Sequence, residues 1–453
     1  MLLEVGYKYI KNKIFKTVLS VPLFKSARSF IIKPKEFLNL HAVILLYHLF
    51  IIRENLFKIC KKSVKNTQTS NENSTPTKRR VLYFSPYPSH PDGHGNQSTI
   101  KNFGKFLRSQ EMQVDFVLLE SNMFNESDLK VMKKSWDSVT IIKNSNIVMD
   151  DKKKSDFDGW YGYGLGEQLG VIARQKHSDI MLCSYVFQSR ILEYMPVGIK
   201  KIIDTHDKMG NRHELLRSWG LPVSFFSCDI ADEAAYLKRA HIVIARNVPE
   251  ANYFNKITNR ECSVVVPHFE PPKFKSHQRS IGTNIGLVAS NNIINKNIVL
   301  ELIQKCRNRF GDAGWPFQLF IAGNIENVIK NEKILEGWNG NKWIRIIGFV
   351  ENIAQFYDNM DIIISPVTVG TGINVKTVEA LAFGMPLLST KPGSKGIETE
   401  EEQHLHESTD DLIKSLQKVC GDEQEVRRLA EVSRSIYTRF YTAACRQLLD
   451  CVQ

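Results

Sequence analysis

The 453-residue sequence predicts an α/β protein of two doubly wound domains in series, behind a helical N-terminal extension. Three observations lead there. Short apolar runs alternate with amphipathic stretches from Val81 onward, the pattern of parallel strands joined by helices. A polar stretch around Pro271 to Thr283 breaks the alternation, which then resumes at Asn284, so two sheets are expected on either side of a linker. The chain is also longer than one hydrophobic core usually accommodates.

The extension, residues 1–60, starts with Tyr7, Ile10, Ile14 and Val18 at helical spacing, while Lys8, Lys11 and Lys16 fall largely on other faces. That is a basic amphipathic helix. A second apolar segment, Phe37 to Ile52, contains Asn39, His41 and His48, and its 16 residues fall short of the roughly 20 that span a bilayer. Both segments are suited to lying on an anionic membrane surface, or to docking on the body or on a partner subunit. Residues 61–80, rich in Lys, Asn, Ser and Thr, read as a polar tether.

The first domain is expected over residues 81–275. Its strands are Val81–Phe84, Val114–Leu119, Ile180–Cys183, Lys201–Asp204 and His241–Ala245. The second domain, 276–435, has strands Asn284–Val288, Phe317–Ile321, Ile344–Ile347 and Asp361–Pro366, and a C-terminal helix covers 436–453.

Charge is distributed unevenly along the chain. Residues 1–80 carry 16 Lys/Arg against 4 Asp/Glu, which accounts for the whole net charge of +12, and the rest holds 44 of each sign. A neutral body argues against a basic nucleic-acid groove and points to an extension that meets an acidic surface. The eight cysteines, Cys60, Cys183, Cys228, Cys262, Cys306, Cys420, Cys445 and Cys451, form no Cys-x-x-Cys pair. They read as thiols in a reducing compartment. No compact apolar run with a cleavage site follows the basic start, so the cytoplasm is the expected location, peripheral at the inner membrane face through the extension.

The most informative stretch is Gly370-Thr371-Gly372-Ile373-Asn374-Val375-Lys376, between the strand at Asp361–Pro366 and a helix that runs to Phe383 and stops at Gly384. Glycines at a helix N-terminus let an anion approach unpaired backbone N–H groups at the positive end of the dipole. Lys376 would add charge to that site, and Glu379 on the same face can accept hydrogen bonds from sugar hydroxyls. The same residues also permit a tight strand-to-helix turn, with Lys376 and Glu379 as a solvated ion pair.

Glu379-Ala380-Leu381-Ala382-Phe383-Gly384-Met385-Pro386-Leu387-Leu388-Ser389-Thr390, followed by Gly393 and Gly396, resembles the C-terminal signature of retaining glycosyltransferases of family 4, the glycosyl transferases group 1. Those enzymes have the GT-B fold, two Rossmann-like domains with the donor in the cleft between them. The resemblance implies that Asp92-Gly93-His94-Gly95 is the N-terminal glycine loop facing the donor phosphates, so that Gly93 and Gly95 join the donor site. It implies that His206, in Asp204-Thr205-His206-Asp207, contacts the transferred sugar, and that backbone groups at Val350 meet the base. His206 also fits a surface position, with Asp204 and Asp207 capping a turn. Ser290 to Asn297 occupies the region where relatives carry an arginine and a lysine for the diphosphate. Here there is no arginine, and Lys296 is the candidate substitute. The second glutamate common in the family would stand at Thr371, so backbone N–H groups of Thr371, Gly372, Ile373 and Asn374, with Lys376, are expected to supply its contacts, Gly370 joining the donor-binding set. Trp160, Tyr161 and Tyr163 could line an acceptor pocket with Asp204 and Asp207, or form a packed aromatic loop.

These readings converge on a metal-independent, retaining transfer of a sugar from a nucleotide donor to a lipid-linked or polysaccharide acceptor. His206, Lys376 and Glu379 are the expected catalytic residues, with no cofactor, no metal and no nucleic-acid partner. The departures at 371 and around Lys296 leave room for a catalytically weak scaffold subunit. A nucleotide-sugar epimerase would need Asp204 and Asp207 as acid and base. Replacing Glu379 by alanine is expected to cut turnover while leaving the stability of the unliganded protein nearly unchanged.

Overall fold

The computed structural model describes residues 78–453, apart from 92–94, 144–163, 219, 221–226, 275–281, 312–313, 330, 333–334, 336–342 and 370–371. The helices expected in 1–60 and most of the tether lie outside the described residues. So do Gly93, Trp160, Tyr161, Gly370 and Thr371.

The first sheet is fully parallel, in the order β3-β2-β1-β4-β5-β6-β7. Its strands are β1 (Arg80–Ser85), β2 (Gln113–Leu119), β3 (Ser138–Ile142), β4 (Ile180–Ser184), β5 (Lys200–Asp204), β6 (Ile242–Ala245) and β7 (Ser263–Val265). Its helices are α1 (Gly95–Ser109), α2 (Glu126–Ser135), α3 (Leu165–Gln175), α4 (Arg212–Ser218), α5 (Ile230–Leu237) and α6 (Val248–Thr258). The central strand β1 is an uninterrupted apolar run because both of its faces are covered, one side chain row packing with Leu169 and Ile191, the other with Phe103 and Phe116. The second sheet, also parallel, runs β10-β9-β8-β11-β12. It comprises β8 (Asn284–Val288), β9 (Gln318–Ala322), β10 (Ile344–Gly348), β11 (Ile362–Ser365) and β12 (Leu387–Ser389). Around it lie α7 (Ile293–Phe310), α8 (Glu326–Ile329), α9 (Ile353–Asp358), α10 (Val375–Ala382) and α11 (Thr409–Val419).

In each sheet the strand order reverses beside the first strand, between β1 and β4 and between β8 and β11. Crevices open at the carboxyl ends of strands at such points.

The last helix, α12 (Glu423–Val452), begins at an Asp422 cap and runs unbroken, well before the expected start at 436. Val426 and Leu429 join the core of the second domain, whereas Ala444, Leu448, Cys451 and Val452 are buried against Val81 and Tyr83 of the first. The helix thus ties the two sheets together. Where it crosses, the Tyr437 hydroxyl accepts from the Glu270 amide at 2.8 Å and donates to the Glu270 carbonyl at 2.6 Å. The cysteines among the described residues are free thiols.

Candidate functional site

The carboxyl ends of both sheets line one cleft. A cavity of about 570 Å³ has Asn96, Tyr185, His206 and Asp207 on one wall and Gly372 and Asn374 on the other. Two smaller cavities, of about 250 and 190 Å³, continue into the second domain along Ser290 and Lys376.

On the second domain's side, α10 starts at Val375 because Asn374 caps it, its side chain accepting from the Lys376 amide at 3.0 Å. The Asn374 amide group donates to Ser365 Oγ at 3.1 Å, which fixes the cap to the end of β11. Lys376 Nζ lies 3.1 Å from Glu379 Oε2, and the same oxygen accepts from the buried Tyr357 hydroxyl at 3.0 Å. The ion pair allowed by the sequence is therefore formed, but with Glu379 nearly buried and on the wall of the 190 Å³ cavity rather than solvated. Val350 lines that cavity beside Phe349, which is 60% exposed. Behind them the ends of β8 and β9 touch so closely that a Cβ on Gly323 would fall 2.1 Å from the Ala289 carbonyl oxygen. Only glycine allows this approach.

On the first domain's side, Gly95 opens α1 against the donor loop, where a Cβ would meet Val375 Cγ2 at 3.0 Å. His206 follows β5 with φ 59°, its ring stacked on Tyr185 at 4.2 Å and 14°. Its Nε2 faces Asp204 Oδ2 at 3.2 Å and Ser184 Oγ at 3.3 Å. Burial outweighs the attraction of Asp204 and pulls the imidazole down to about 4, so His206 is neutral at physiological pH.

Two expected site residues do not reach the cleft. Lys296 pairs with Glu332, 2.5 Å from its Oε1, while Asn295 takes the position on the cavity wall. Asp204 is wholly buried and pairs with the Arg246 guanidinium beneath His206, which makes it a support rather than an acceptor contact. Asp207 does line the large cavity, paired with Arg212 at 2.9 Å. Ser290, Gly372 and Ile373 stand where the sequence reading puts them, on the cavity walls.

Several residues escaped the sequence reading. Arg246 and Tyr185 follow β6 and β4 as His206 follows β5, and that shared position at strand ends is the signal that could have found them, while Glu250 sits in the first turn of α6. Glu250 is buried with Oε1 unpaired, beside Gly372 and Asp207, and burial followed by Asp207 raises it to about 7. His268, also buried, contacts Thr99 Oγ1 through Nδ1 at 2.8 Å. Among the described residues no cluster of His, Cys, Asp and Glu comes together to hold a metal ion, and no helix is long and apolar enough to cross a membrane.

Residues 283–422, which hold the donor loop and α10, match the family described as glycosyl transferases group 1. Over those residues the second domain is similar to that family. HepE of Anabaena, in complex with UDP and glucose, is similar over 82% of this chain and 98% of its own, with a TM-score of 0.57 at 13% identity. Sucrose-phosphate synthase of Thermosynechococcus elongatus gives 0.63 at 13% identity over 82% of this chain and 98% of its own. These likenesses establish the fold as GT-B. In sequence, the chain is 22% identical over 364 residues to a Klebsiella pneumoniae protein described as an uncharacterized 44.6 kDa protein in the cps region, covering 74% of this chain and 88% of that one.

Proposed function

We propose that this protein transfers a hexose from a nucleoside diphosphate sugar to a hydroxyl of a glycan or lipid-linked acceptor, with retention at the anomeric carbon and without a metal, as a member of family 4. The observation that carries the reading is the convergence on one cleft of a capped helix N-terminus bearing Lys376 and Glu379 with a neutral histidine from the opposite domain. The diphosphate would lie at the start of α10, where the helix dipole and Lys376 stabilise the charge that develops as the sugar–phosphate bond breaks. Glu379 would hold ribose hydroxyls, and the backbone by Val350 the base.

The acceptor hydroxyl would enter through the 570 Å³ cavity and attack the anomeric carbon on the face the diphosphate leaves, passing its proton to the departing phosphate oxygen. Neutral His206 can donate to or accept from a sugar hydroxyl without adding charge. An acceptor held at a membrane agrees with the basic extension, which would keep the enzyme at the cytoplasmic face.

A thermal-shift series on the full chain with UDP, GDP, ADP, TDP and CMP, with and without magnesium, tests the reading. UDP comes first, since the Anabaena neighbour is complexed with it. A ligand at 100 times its dissociation constant adds about 2.7 kcal/mol. A selective, metal-independent shift by one diphosphate supports the proposal. No shift from any of them would sink it and favour a scaffold role.

A further inference from the structure

We propose that Tyr185 is a positioning residue that transmits occupancy of the α10 N-terminus to His206. The inference rests on the cleft being a nucleotide-sugar site. Tyr185 and His206 follow the adjacent strands β4 and β5, and both have positive φ, Tyr185 at φ 70° and ψ 134°, His206 at φ 59°. Positive φ is uncommon for non-glycine residues, and such positions cluster at active sites. The two rings stack at 4.2 Å, so the orientation of the tyrosine sets that of the imidazole.

The far side of Tyr185 leads to the other domain. Its hydroxyl oxygen accepts from Asn96 Nδ2 at 3.0 Å. Asn96 adjoins Gly95, whose Cα side abuts Val375, the first residue of α10. A contact path therefore runs from Val375 through Gly95 and Asn96 to Tyr185 and His206. Packing against Tyr87 and Phe187, with centroids 5.1 and 5.0 Å away, needs only an aromatic ring. The hydroxyl adds one thing, the bond to Asn96. When a diphosphate binds at the start of α10, Val375 shifts the start of α1, and the Asn96 bond turns that shift into a movement of the stacked pair. A contact path alone does not demonstrate coupling, so the test reads the response of His206 itself.

The measurement uses the full chain labelled with 15N-histidine, with UDP as probe and His206→Gln to assign the His206 signals. UDP is expected to shift the His206 imidazole resonances in the wild type. In Tyr185→Phe and Asn96→Ala, UDP should still bind to saturation by calorimetry, Tyr185→Phe should keep its melting temperature, and most of the His206 response should be lost. A full response in both variants with UDP bound overturns the relay and leaves the donor site standing. If neither UDP nor any other nucleoside diphosphate binds the wild type, the donor reading fails, and the relay falls with it.

Discussion

His206, on the cleft wall, and Glu250, buried beside Asp207 and Gly372, have opposite pH behaviour. The imidazole titrates at about 4, below its ordinary 6.5, because burial resists its charge. Its contribution to stability is present above pH 6.5 and is lost as pH falls toward 4. Glu250 is raised to about 7 by burial and Asp207, so its contribution is present below pH 4.5 and is lost as pH rises through 7. A shift of this size corresponds to about 3 kcal/mol. Glu250→Gln should therefore melt well above the wild type at pH 8.5 and close to it at pH 4.5, as a melting series across pH would read. Glu379 brings a different consequence. Alanine there would leave the buried Tyr357 hydroxyl without its acceptor, a loss of about 1–3 kcal/mol. That corrects the expectation of unchanged stability. Glu379→Gln keeps an acceptor for Tyr357, so it should retain the melting temperature while weakening diphosphate binding in calorimetry.

At the scale of elements, the close approach of α1 to α10 makes Gly95 sensitive to a single methyl. Gly95→Ala should press on Val375 and weaken donor binding several-fold by titration, with little change in the circular dichroism of the fold. The strands flanking both switch points were legible as unbroken apolar runs because parallel central strands are buried on both faces. β3, with Ser138 to Ile141 all half-exposed, and β7, whose three residues are all half-exposed, lie at the two edges of the first sheet and offered no such run. The donor loop was legible because strand, glycine and helix are contiguous in sequence. Arg246 and Tyr185 were not, since their roles come from side chains delivered by separate strands, and neither adjoins a recognisable motif. Lys296 misled because spacing along a helix gives its neighbourhood but not the direction in which its ammonium finds a carboxylate.

At the scale of the whole molecule, the most C-terminal residues complete the core of the domain that starts the described chain. Leu448 is fully buried among Val81, Tyr83 and Phe116, so Leu448→Ala should cost about 2–5 kcal/mol. It should lower the unfolding midpoint of the first domain although the substitution lies far from it in sequence, as fluorescence-detected denaturation would report. The two strands of chain that pass between the domains are pinned to each other where Tyr437 brackets the Glu270 peptide. A door with two hinge leaves fastened at one pin can swing but cannot slide. Any turning of one domain on the other would carry this bonded crossing with it.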